Sequence, residues 1–204
     1  MPPGPTHITM SDLYTIGHST HPSARLIELL RMHGVSAVAD VRSSPYSRYN
    51  SQFNREALQH VLQDAGIEYV FLGGQLGARP ADTSCYVDGK VQFSRIAAGR
   101  AFADGLARLR AGIESYRTTL LCAEKDPIGC HRMILVCRAL RGSDVRMRHI
   151  LDDGSLETNE HAERRLMQAL GVPETDLFAT PEELVLRAYD TQAGRIAYEE
   201  KNDE

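Results

Sequence analysis

Short apolar runs alternate along this chain with segments in which apolar residues recur every three or four positions. LYTIGHS (13–19), VSAVADVR (35–42), EYVFLG (68–73), TTLLCAE (118–124) and VRMRHIL (145–151) have the length and density of buried strands. Between them, Leu26, Leu29, Leu30 and His33 share one face of a helix predicted over 22–33, which Gly34 ends. Further helices are predicted over 56–65, 95–111, 130–140 and 156–170. CYVDGKVQF (85–93), with Asp88-Gly89 between short arms, reads as a hairpin excursion. Strands alternating with helices predict a mainly parallel sheet covered on both faces, because parallel neighbours need crossover connections. The fold class expected is α/β, a Rossmann-like three-layer sandwich.

The pattern predicts one domain over 11–171. Residues 1–10, rich in proline, read as a disordered leader, with Met10 as an alternative start. After Gly171 a helical pattern from Pro181 to about Tyr189 and a charged end read as a peripheral helix and frayed tail (172–204).

Composition narrows the function classes only a little. With 204 residues, 42% of them hydrophobic, the chain can bury a sizeable core. A formal net charge of -4 gives no overall basic field, so a nucleic-acid partner would need a local patch. Four unevenly spaced cysteines (85, 122, 130, 137) do not suggest a disulfide framework, and a reducing, cytoplasmic setting is expected. No apolar run approaches the ~20 residues of a membrane span.

Ligands of open α/β sheets sit beyond the carboxyl ends of the strands. Unusual residues cluster at those ends here: Gly17, His18 and Ser19; Arg42 to Asn50; Gly73 to Gln75; and Glu124 to Arg132. The run YTIGHS, then DVRSSPYSRYNSQFN, then LLCAEKDPIGCHR followed by RHILDDG, resembles the motif series of the bacterial family catalogued as domain of unknown function number 488. The resemblance spans about residues 13–160. It implies an α/β domain whose motif positions form a site, and it carries no activity.

In SSPYSRYNSQFNR (43–55), Tyr46 and Tyr49 alternate with Arg48, a composition that stacks a planar base and holds a phosphate, while Phe53 reads equally as a core staple. Arg42, an obligate cation at the end of an apolar strand, needs an anionic partner: a ligand, Asp40 or Glu124. His18 offers an imidazole and Ser19 a hydroxyl. Asp126-Pro127-Ile128-Gly129 fits a type I turn into a helix whose first turn would hold Cys130, His131 and Arg132, favouring an accessible thiolate at Cys130. Cys122, beside two acids, would be the slower thiol.

The expected catalytic set is therefore Glu124, Cys130, His131 and His18, with Arg42, Tyr46, Arg48, Ser19 and Arg132 binding substrate. His149 and His161 are secondary candidates. No cofactor is expected. A divalent metal at Cys122, Glu124, Cys130 and His131 competes, against which stand the unpaired spacing and the ~100° between adjacent side chains at a helix start. Two function classes follow: an enzyme acting on a nucleotide or other phosphate-bearing small molecule, or a nucleic-acid or nucleotide-binding module without chemistry.

Overall fold

The structure is a computed structural model, and it describes residues 10–200. All of the expected leader except Met10, and the last four residues of the expected tail, lie outside the described residues. The elements are β1 (Ser11–Gly17), α1 (Ser23–Met32), β2 (Ala37–Asp40), α2 (Arg55–Asp64), β3 (Glu68–Phe71) and α3 (Gly73–Leu76), followed by the hairpin β4 (Tyr86–Val87) and β5 (Lys90–Val91). Then come α4 (Phe93–Ala98), α5 (Arg100–Ser115), β6 (Thr118–Cys122) and α6, which is a π-helical stretch Arg132–Cys137 running into an α-turn Arg138–Leu140. β7 (Val145–Ile150), β8 (Leu156–Thr158), α7 (Asn159–Leu170) and α8 (Pro181–Ile196) complete the order.

The central sheet has six strands in the order β3-β2-β6-β1-β7-β8. Every pairing is parallel except β7 with β8. The α/β class, with helices on both faces, is as the strand–helix alternation predicts. One core packs α1 and α2 against one face through Leu26, Leu29, Leu30, Leu58 and Leu62. The other packs α5, α6, α7 and α8 against the opposite face through Phe102, Leu109, Met133, Val136, Leu166 and Tyr189.

Connections therefore leave the sheet toward opposite faces at the β2/β6 boundary: β2 feeds α2 on one side, β6 feeds α6 on the other. That divergence opens a crevice at the carboxyl ends of these neighbouring strands, the switch point at which open α/β sheets take ligands. Gly17 closes the floor behind it, since a Cβ there would lie 1.8 Å from the Glu124 carbonyl oxygen. Gly73 performs the same service under the Arg42 carbonyl, at 1.9 Å. Close backbone approach, rather than positive φ, is what Gly73 and Gly77 supply.

Three sequence expectations are corrected. The helix expected over 95–111 is two helices, because Gly99 is extended (φ -79, ψ 146) and caps α5. Residues 156–158 are an antiparallel strand, and the closing helix begins only after Thr158, whose side chain accepts from the His161 N–H. The tail is neither peripheral nor frayed up to residue 200: α8 runs to Ile196 and buries Leu184, Ala188 and Tyr189. Beyond it, Tyr198 accepts from the Val91 N–H and Glu199 bridges Lys90, so the chain end docks on the β4–β5 hairpin. Leu184, Ala188, Tyr189 and Ala193 carry the helix's packing. No helix among the described residues is long and apolar enough to cross a membrane.

Candidate functional site

The crevice holds a cavity of about 210 Å³. Arg42, Ser43 and Ser44 after β2, and Cys122, Ala123 and Glu124 at the end of β6, form two of its walls. Gly129 and His131 lie at the α6 start, and Ala78, Arg79, Ile196 and Tyr198 close the far side. Among the described residues Glu124 is the one carboxylate in this lining.

The floor is a cluster of four side chains. Ligand-type atoms of Cys122, Glu124, Cys130 and His131 all lie within 4.8 Å of one another. Glu124 Oε2 accepts from Cys122 Sγ at 2.9 Å and from Cys130 Sγ at 3.0 Å. His131 Nδ1 stands 3.4 Å from Cys122 Sγ and 4.0 Å from Cys130 Sγ. Its Nε2 lies 2.9 Å from the Val41 carbonyl oxygen. A carbonyl can only accept, so Nε2 carries the proton and the Nδ1 lone pair faces the sulfurs. Adjacent Cys130 and His131 do not diverge by the ~100° expected at a regular helix start. Cys130 is extended (φ -131, ψ 141) after a 3-10 turn Pro127–Gly129, and the helix begins only after His131.

Asp126 shapes that turn by accepting from the Ile128 N–H, and Arg165 holds Asp126 in place by two contacts. Arg132 is fully buried and donates to the carbonyls of Glu124 and Lys125 and, at 3.3 Å, to the Thr15 hydroxyl. It therefore shapes the 124–125 backbone from beneath and does not face the cavity, contrary to its expected place in substrate binding.

Burial raises the Glu124 carboxyl above its ordinary range, and Cys130 adds to the rise. Burial also pushes the Cys122 thiol well up. Burial acts the same way on Cys130, but the bond from Cys122, the Arg132 charge and His131 outweigh it and hold that thiol well below its ordinary value. Of the two thiols Cys130 is thus the easier to ionise. Its accessibility is the opposite of the sequence expectation: Cys130 is 1% exposed, whereas Cys122 lines the cavity.

The remaining expected residues separate from this floor. Arg42 has its partner in Asp40, through Nε at 2.9 Å and Nη2 at 2.6 Å, and it also donates to the Phe53 carbonyl. Tyr69 Oη adds a bond to the same carboxylate at 2.9 Å. His18 is 4% exposed, with Nδ1–H on the Ser19 carbonyl at 2.8 Å and Nε2 accepting from Arg42 at 3.2 Å. Both ring nitrogens are used, and the ring lies 4.3 Å from that of the buried Phe53. Neither His18 nor Ser19 lines the cavity. Tyr46 bonds Glu56 on the surface, and Arg48 and Tyr49 are exposed outside the cavity. His149 is buried against Thr15, and His161 pairs with Glu157 at the surface. Ile196 and Tyr198 had no motif to mark them, because they arrive from the distant end of the chain; Arg79, which the GGQLGARP loop offers and which reads more readily as a surface residue, reaches the cavity from the segment after α3.

Burial lowers the pKa of both His18 and His149 from 6.5 to about 4. Both are neutral when folded and take protons when unfolded, so they contribute stability that is complete above pH 6.5 and is lost as pH falls through about 4. Urea midpoints are expected to drop between pH 7 and pH 4.5. A His149→Asn variant should show a shallower drop, and an equal slope in both proteins would exclude His149 as a contributor.

No curated protein and no solved structure matches the chain. A family model, described as a domain of unknown function, matches residues 22–139. The span takes in the Asp40–Arg42 pair, the polar loop after it and all four side chains of the cavity floor, while the YTIGHS and RHILDDG motifs lie outside it. The matched segment makes up more than half of the chain, and the chain belongs to the family catalogued as DUF488.

Proposed function

We propose that the protein is an enzyme acting on a small phosphate-bearing substrate in the β2/β6 cavity. The observation that carries this reading is the polarity of the cavity, with a cation and hydroxyls on one wall and the thiol–carboxylate–imidazole floor on the other. Arg79 stacks its guanidinium 4.3 Å from the Tyr198 ring centre, and its backbone N–H donates to Ser43 Oγ. Arg79 is exposed, and among the described residues its guanidinium has no carboxylate partner. Together with the serines it supplies donors for a phosphate, the part expected above of Arg42 and Arg48.

Glu124 is the group placed to move a proton on the substrate held between these walls. The volume of about 210 Å³ is below the roughly 300–1,000 Å³ of drug-sized pockets. A phosphate with a small body fits, whereas a nucleotide would keep its base outside the cavity. The loop after β2, with Tyr49 95% exposed and Arg48 beside it, is the one observation that favours the second reading, a nucleic-acid-binding module without chemistry.

Calorimetry with inorganic phosphate and simple phosphomonoesters tests the assignment. Binding is expected in the wild type, about 10-fold or more weaker in Arg79→Ala, given the roughly 1.5–3 kcal/mol of a charged hydrogen bond. Equal binding in both proteins removes Arg79 from the ligand shell. Salt-dependent binding of single-stranded RNA that depends on Arg48 and Tyr49, with no phosphate-ester turnover, would support the second reading instead.

A further inference from the structure

We infer that Cys122, Cys130 and His131 hold one zinc ion, with the Glu124 carboxylate at the fourth, cavity-facing position. The inference concerns the same cavity as the enzymatic reading and rests on that reading only for the part Glu124 plays there.

Three observations converge on it. The first is spacing. Zn–S bonds of ~2.3 Å and Zn–N bonds of ~2.0–2.1 Å place the ligand atoms of a tetrahedral site roughly 3.5–3.8 Å apart. The His131 Nδ1 distances to the two sulfurs, 3.4 and 4.0 Å, bracket that range. The carboxylate oxygen stands closer, at 2.9 and 3.0 Å, because it accepts two S–H bonds. Zinc entry replaces both thiol protons, which leave to solvent; Oε2 then binds the metal in their place, and the second carboxylate oxygen is left for the substrate's proton.

The second observation is the histidine's outer contact. Donating Nε2–H to the Val41 carbonyl fixes the tautomer whose Nδ1 is a ligand and orients the ring, the usual second contact of a metal-bound imidazole. The third is charge. Two thiolates, one carboxylate and a divalent ion sum to a single negative charge, and the fully buried Arg132 guanidinium, held on the Glu124 and Lys125 carbonyls, offsets it. Among the described residues Arg132 has hydrogen bonds to neutral oxygens only. The donor set of two sulfurs and an imidazole selects zinc over magnesium or calcium, which take oxygen ligands.

Full-length protein purified without chelator is expected to carry one zinc per chain by elemental analysis. After exchange it should show the thiolate-to-cobalt charge-transfer absorption and the strong visible bands of tetrahedral Co²⁺. Cys130→Ser and Cys122→Ser should each bind zinc more than about 100-fold more weakly in competition with a chromophoric chelator, beyond the loss typical of outer-contact changes. Glu124→Gln should lose far less, and Cys85→Ala, away from the cluster, nothing.

The cobalt spectrum of the wild type stands even where a cysteine variant does not fold. Folded wild-type protein with reduced thiols that takes up neither zinc nor cobalt overturns the inference, as does a Cys122–Cys130 disulfide that persists in protein purified under reducing conditions. Metal uptake with no turnover of any phosphate ester would keep the zinc and remove the enzymatic reading. Turnover without metal uptake would do the reverse.

Discussion

Glu124→Gln is expected to lower turnover by about 10²–10⁴-fold, the range for removing a positioned general acid or base, while leaving the fold intact. The substitution keeps the size and one hydrogen-bonding oxygen of a side chain that belongs to an exposed residue. Its carboxylate lies on the cavity lining and within hydrogen-bonding distance of both sulfurs. An amide there accepts a bond but cannot take the substrate's proton. Steady-state kinetics should show the loss in kcat, with KM for the phosphate-bearing substrate changed much less, since Arg79 and the serines are untouched. An unchanged kcat would remove Glu124 from the chemistry.

Arg42→Ala is expected to destabilise the fold by roughly 3–5 kcal/mol, the cost of breaking a buried ion pair from one side. Asp40 is fully buried between β3 and β6, and the variant would leave its carboxylate with Tyr69 and one backbone N–H. The same guanidinium also holds the Phe53 carbonyl and His18, so the loop over 43–54 loses its anchor. Denaturant unfolding measures the loss, and Asp40→Asn added to Arg42→Ala should recover part of it. A variant that stays within about 1 kcal/mol of the wild type yet no longer binds phosphate would return Arg42 to the ligand shell.

The two arginines after strand ends show how much of the site was legible. An obligate cation following an apolar strand was correctly read as needing a partner, but its identity depends on which way a side chain two residues earlier points. Asp40 and Arg42 lie on the same side of β2, so the ion pair closes within one strand end. His18 was read as a catalytic imidazole because strand ends in this fold face ligands. Instead the Arg42 guanidinium and the Ser19 carbonyl use both of its nitrogens.

Local conformation decided the rest. The alternation of strands and helices gave the class and the edge at which the site sits, since that depends only on period and length. The convergence of Cys130 with His131 could not be derived from a regular helix, because it needs the extended Cys130 that the 3-10 turn creates. Ile196 and Tyr198 lie more than a hundred residues from Arg79 in sequence, and the docking of α8 and its continuation on the β4–β5 hairpin brings them to the cavity beside it.

Whether this cavity performs the proposed chemistry is decided by turnover by purified wild-type protein across a panel of small phosphomonoesters, phosphodiesters and nucleotides, with and without added zinc. Turnover of at least one small member is expected, with competitive inhibition by inorganic phosphate and loss of that activity in Glu124→Gln. No turnover of any member by folded, zinc-supplemented protein, together with RNA binding that ignores Glu124 and Arg79, would contradict it.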